Sequence, residues 1–173
     1  MNVFDVTREF QGGFGASRPS TRFLTVHHAD ANYPQVFGID DVRAIARYHV
    51  QSRGWAGIGY HEVLAEQTPG GPIACYIVSS PLSVRAHVWG RNHEAWGITM
   101  AADMTKGIPP QKWVDALALR LVEAKKRWPS SVIMGHRDIA LKGHETTCPG
   151  EKWAAWKPAL IAQVNHVLAV SPP

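Results

Sequence analysis

No stretch of this chain stays apolar for the roughly 20 residues that a bilayer-spanning helix requires, which argues against a helical membrane span. Cysteine is scarce: Cys75 and Cys148 are the only two in 173 residues, too few for a disulfide-stapled scaffold. Charge is thin as well, at 18% of residues against 45% hydrophobic, a balance that can bury a core and is not that of a disordered chain. Basic residues never cluster with interleaved aromatics, which argues against a nucleic-acid interface. The segment Met1 to Phe10 carries Asp5 and Glu9 and lacks an uninterrupted apolar run, so a secretory signal is not expected.

What is present fits one domain with a core of its own. Residues 1–20, rich in Gly, Ser and Pro from position 11, read as a flexible lead-in, and 21–173 as the folded unit. Phe23 to His28 reads as a buried strand. Val42, Ile45, Ala46 and His49 recur at helical spacing and predict a helix over about 41–52, with Asp40 or Asp41 to cap it and Gly54 beyond its end. Strands are expected at 59–65, 73–78, 84–88 and 95–101, with Gly70-Gly71-Pro72 as a turn. Pro109-Pro110 suits the entry of a long helix to Arg127, whose apolar stripe is Val114, Leu117, Leu121 and Ala124. A strand over 131–135 and a last helix over about 151–169 complete an α/β fold, a mixed sheet flanked by helices.

Three residue types stand where a metal would want them. His27 ends one apolar strand, His136 ends another in Val132-Ile133-Met134-Gly135-His136, and Cys148 lies on the loop Thr146-Thr147-Cys148-Pro149-Gly150. Two imidazoles and one thiolate leave the fourth position of a tetrahedral zinc open, the pattern of a catalytic site and not of a structural one. Hydrolysis is the first expectation. Cys148 is then better explained as a ligand than as half of a disulfide, while Cys75 reads as a small buried strand residue.

These segments, with Gly54-Trp55-Ala56-Gly57-Ile58-Gly59-Tyr60-His61 between them, resemble the zinc amidases of peptidoglycan: phage amidase endolysins, catalytic peptidoglycan recognition proteins and bacterial N-acetylmuramoyl-L-alanine amidases. The resemblance runs from about Thr21 to Trp153 with its parts in the family's order. It implies the same mixed sheet, Zn2+ held by His27, His136 and Cys148, and cleavage of the amide between N-acetylmuramic acid and L-alanine. It also implies that the Tyr60 phenol assists at the reacting water or the oxyanion, and that Thr146 replaces a lysine found there in other members; Thr147 is one residue away from the same role. Recycling amidases of this kind carry an aspartate in place of the cysteine ligand, so Cys148 favours the lysin branch. Such an enzyme is expected in the host cytoplasm until lysis and then at the wall, as a monomer on bacterial peptidoglycan. The alternative is a recognition module that binds peptidoglycan without cutting it. The +4 charge would favour anionic wall polymers, or serve only as a solubility margin.

The remaining histidines need sorting. His28 and His61 follow His27 and Tyr60, so strand alternation points each away from its neighbour. His87 and His93 occupy the stretch that lies near the substrate groove in relatives. The interval between His136 and Cys148 is long for the family, which makes His144 a competing ligand and Lys142 and Glu145 candidate groove residues. Arg137 and Asp138 are placed to orient His136. Glu62 and Glu66 are not spaced to reach the metal. Trp55, Trp89 and Trp96 are core residues unless one proves exposed.

Overall fold

The computed structural model describes residues 1–10, 12–13, 16–30 and 33–170. Six strands form one sheet in the order β1-β4-β3-β5-β2-β6. They are β1 (Asn2–Asp5), β2 (Phe23–Ala29), β3 (Glu62–Glu66), β4 (Ile73–Ile77), β5 (Ala95–Asp103) and β6 (Val132–Gly135). Only β3 and β4 pair antiparallel, joined by the short turn through Gly70 and Gly71; the other neighbours run parallel. Parallel pairs need crossovers, and the helices supply them. The helices are α1 (Gly38–Arg47), α2 (Gln111–Arg127), α3 (His136–Ile139) and α4 (Trp153–Val170). None is long and apolar enough to cross a membrane among the described residues.

Alternation along the strands divides the core in two. Leu24 and Val26 of β2, Leu64 and Cys75, and Trp96, Ile98 and Met100 of β5 face α2 and α4, where Leu117, Leu121 and Leu160 close over them. The other face packs Val63, Ala65, Ala74 and Tyr76 against Val42 and Ile45 of α1. His27 lies on the α1 side. β2 carries so many β-branched and apolar residues because both of its faces are covered.

Three expectations need correction. Asn2–Asp5 is not flexible lead-in: it pairs with β4 in parallel as an edge strand, and Phe4 stacks on Tyr76 at 5.3 Å. Part of the expected lead-in, residues 11, 14 and 15, lies outside the described residues. Residues 84–88 are not a strand. Their backbone is claimed by a side chain instead, since Asn92 Oδ1 accepts the N–H groups of both His87 and Val88, while Arg85 reaches back to the carbonyls of Gly12 and Ile58. The first helix changes character at Tyr48, where five residues to Ser52 form a π-helical turn, a feature concentrated at functional sites.

Candidate metal centre

Register places the two histidines. β2 pairs with β6 in parallel, with Val26 opposite Gly135, so the next residues, His27 and His136, emerge side by side at the carboxyl ends of both strands. Their ring centroids are 4.8 Å apart. That end of a parallel sheet, where neighbouring crossovers diverge, is the usual ligand crevice of an α/β fold. Gly135 matters here because a Cβ on it would stand 2.6 Å from Pro149 Cδ and 2.7 Å from Trp153 Nε1. Its absence lets the Cys148-Pro149 loop close onto β6, where Arg137 N–H donates to the Cys148 carbonyl at 2.8 Å.

The donor atoms of His27, His136 and Cys148 all lie within 4.8 Å of one another, and Cys148 Sγ is 3.6 Å from His27 Nδ1. A zinc with Zn–N of about 2.0–2.1 Å and Zn–S of about 2.3 Å in a tetrahedron separates N and S by about 3.5 Å, so the spacing fits the ion. The protonation chemistry fits too. Burial depresses the pKa of His27 well below the ordinary value and holds His136 at about 4, so both rings are neutral and carry a lone pair. Burial pushes the Cys148 thiol up to about 12, partly opposed by the His28 backbone N–H directed at the sulfur. A thiol so raised becomes a thiolate only beside a cation.

His87 decides which His27 nitrogen is bare. His87 Nε2 lies 3.1 Å from the Ala95 carbonyl, which can only accept, so Nε2 carries the proton. His87 is buried and its pKa is held down to about 3, so it is neutral and Nδ1 is an acceptor. His27 Nε2, 3.1 Å from that Nδ1, must donate to it. The His27 proton is thereby fixed on Nε2, and Nδ1 is left to face Cys148. Gly97 makes the relay possible, because a Cβ there would meet the His87 ring at 2.7 Å.

These residues line one groove of about 760 Å³ together with Tyr60, Thr99, Thr146, Thr147, His49, Trp55, Tyr33 and the end of α1. Tyr60 packs against His27, ring centroids 5.1 Å apart, and burial, with Cys148 nearby, raises its pKa, so the phenol stays a donor. Thr146 Oγ1 accepts the Cys148 N–H at 3.1 Å, leaving its own hydroxyl hydrogen free to donate.

The structure separates the other candidates. His28 borders the groove but is outside the group of donors, its Nδ1 accepting the Met104 N–H. His61 faces away from the groove, taking the Gly97 N–H on Nδ1 and meeting Arg18 and the Ser83 carbonyl through Nε2. His93 is exposed. His144 stands outside the group of donors and stacks on Trp89 at 5.2 Å. Asp138 does not orient His136; its carboxylate takes the Gly135 N–H, Trp153 Nε1 and Lys157. Glu62 is bidentate to Arg120 and Glu66 pairs with Lys112. Trp96 is core at 2% exposure, Trp55 lines the groove, and Trp89 is 67% exposed.

His49 is the groove residue that periodicity hid. It sits on the expected apolar stripe, but the π-helical turn carries it to the groove wall, where it stacks on Trp55 at 4.5 Å and accepts the Gly59 N–H on Nδ1. A histidine interrupting an otherwise apolar stripe was the available signal.

Comparison with known proteins places this geometry. The chain is 28% identical over 137 residues to a human N-acetylmuramoyl-L-alanine amidase, a match covering 75% of this chain and 22% of that protein. It is 28% identical over 120 residues to the endolysin of Klebsiella phage KP32, covering 66% and 73%. The chain spans less than a quarter of the human and mouse relatives, 22% and 24%. In fold it is similar to the amidase LysC from Clostridium intestinale URNW, with a TM-score of 0.69 at 19% identity, covering 95% of this chain and 98% of that one. The model of the N-acetylmuramoyl-L-alanine amidase family known as Amidase_2 matches residues 17–151, and to that family this chain belongs.

Proposed function

We propose that this protein is a zinc-dependent amidase that hydrolyses the bond between N-acetylmuramic acid and L-alanine in bacterial peptidoglycan, and that it serves as a phage lytic enzyme. The observation that carries the reading is the convergence of His27, His136 and Cys148 donor atoms within 4.8 Å, in the groove that also holds Tyr60 and Thr146. The similarity to a phage endolysin supports the lytic role.

When bound, zinc would be held by His27, His136 and Cys148 and would supply Lewis acidity, acidifying water and polarising a carbonyl at one point of the groove. The protein's own groups do the rest. Tyr60 keeps its proton because burial raises its pKa, so its phenol donates to negative charge developing on the carbonyl oxygen. Thr146 offers a second, uncharged donor, weaker than an ammonium in the same place. His87 and the Ala95 carbonyl hold His27 in one tautomer. Tyr33, His49 and Trp55 form walls against which the substrate would lie.

The test is mass spectrometry of purified peptidoglycan digested with and without a zinc chelator. Free stem peptides with intact glycan, lost with chelator and restored by zinc, are the expected products. Peptidoglycan bound but uncut would make this a recognition module, and severed sugars would overturn the reading.

A further inference from the structure

Among the described residues the aromatic side chain that stands furthest out in solvent is Trp89. At 67% it is more exposed than any other described large hydrophobic residue, yet it is not loose. His144 lies almost parallel to the indole, with centroids 5.2 Å apart and planes 21° apart. Beneath them Leu141 covers Gly90, which has φ 73° and where a Cβ would meet Leu141 Cδ1 at 2.5 Å. Arg91 Nε donates to the Ile139 carbonyl at 3.0 Å, and Asn92 pins the backbone at His87 and Val88. Two loops, 88–92 and 139–147, are thus clasped to hold one ring face outward.

The chain ties the ledge to the groove. Trp89 is two residues from His87, which touches His27, and His144 is two residues from Thr146, which lines the groove. At no more than about 3.6 Å per residue, each backbone lies within roughly 7 Å of a groove residue. The second loop lies in the interval between His136 and Cys148, so the ledge is built on the same stretch of chain that carries two of the three candidate metal ligands.

We propose that Trp89 and His144 form a saccharide-stacking subsite, which holds one N-acetylated pyranose ring of the glycan strand next to the linkage being cut. This rests on the reading of the groove as a peptidoglycan site. A pyranose presents a flat face of C–H bonds with partial positive charge, complementary to the negative face of an indole. One indole face is already covered by His144, which leaves a platform one ring wide, the footprint of a sugar and not of an extended apolar segment. The flanking side chains, Lys142 and exposed Glu145, are of opposite sign and favour a neutral, hydroxyl-rich ligand over a polyanion.

Titration of a four-unit N-acetylglucosamine oligomer, followed by calorimetry and by the indole N–H signals in NMR, tests it on the intact protein. The oligomer is expected to shift the Trp89 signal, and Trp89→Ala and His144→Ala to weaken its binding about 5-fold or more. In cleavage assays Trp89→Ala is expected to lower, about 5-fold, the ratio of kcat/KM on whole sacculi to that on a muramoyl peptide without neighbouring sugars. Oligomer binding equal in wild type and both variants, or none in wild type, overturns the proposal. Weakened retention on an anionic wall polymer with oligomer binding unaltered overturns it also. A wild type that binds the oligomer at Trp89 but cuts no peptidoglycan would sink the amidase reading while sparing the subsite.

Discussion

Replacing His87 by Phe keeps a planar ring, somewhat larger than the imidazole, but deletes the acceptor that takes the His27 Nε2 proton. His27 then has a buried donor with nothing to receive it, a cost of about 1–3 kcal/mol. The ring escapes by moving its proton to Nδ1, the nitrogen that faces Cys148 Sγ at 3.6 Å and the atom that a metal needs bare. Binding must reverse that shift, so zinc affinity is expected to fall roughly 10- to 100-fold, the range typical for losing a group that orients a metal ligand. His87→Asn is the control, since its amide oxygen sits near the lost Nδ1 and can accept the same proton. Competition against a chromophoric chelator reads the affinity directly, and cobalt substitution gives a spectrum of the thiolate and imidazole set. A Phe variant that folds and holds zinc as tightly as wild type would refute the tautomer argument, whatever its activity.

Three further outcomes are expected. Tyr60→Phe should keep zinc and fold while lowering kcat about 10²-fold; unchanged kcat would remove the phenol from the reaction. Glu62→Gln leaves the Arg120 guanidinium half-paired in a largely buried position, and a loss of about 3–5 kcal/mol in urea unfolding is expected, with the groove unaltered. His49 has a folded pKa of about 4 from burial, against about 6.5 when unfolded. Below pH 6.5 the unfolded chain takes a proton that folded His49 refuses until about pH 4, so stability falls with acid across that window. The loss is on the order of 3 kcal/mol for this residue, to which the other buried histidines add. Metal-free unfolding at pH 7.5 and pH 4 should therefore show a smaller drop for His49→Phe, and an equal drop would contradict the assignment.

Much of this site was readable because its residues end apolar strands. Runs such as Phe23 to Val26 and Val132 to Met134 announce β2 and β6, and the histidine that follows each is conspicuous. Their meeting depends on parallel register between strands over a hundred residues apart, which no local pattern specifies. The expected strand at 84–88 failed because Asn92 captures its backbone, a side-chain choice that β-propensity does not register. The edge strand at Asn2–Asp5 was missed since all four residues are exposed and give no alternation. His87 and His49 were underestimated for one reason: their roles come from what they accept and stack upon, not from spacing.

β6 is a four-residue strand at the margin of the sheet, hydrogen-bonded to β2 alone. An ion joining His136, at its end, to His27 would act on this strand as a rivet between rim and centre. Such an ion would bind the folded chain and not the unfolded one, so stability should rise as RT ln(1 + [Zn]/Kd). The gain should fall unevenly across the fold. Amide exchange in β6 and the Cys148 loop should quicken most when metal is stripped, with β3 and β4 scarcely altered, so that breathing of the sheet's rim becomes a gauge of metal supply.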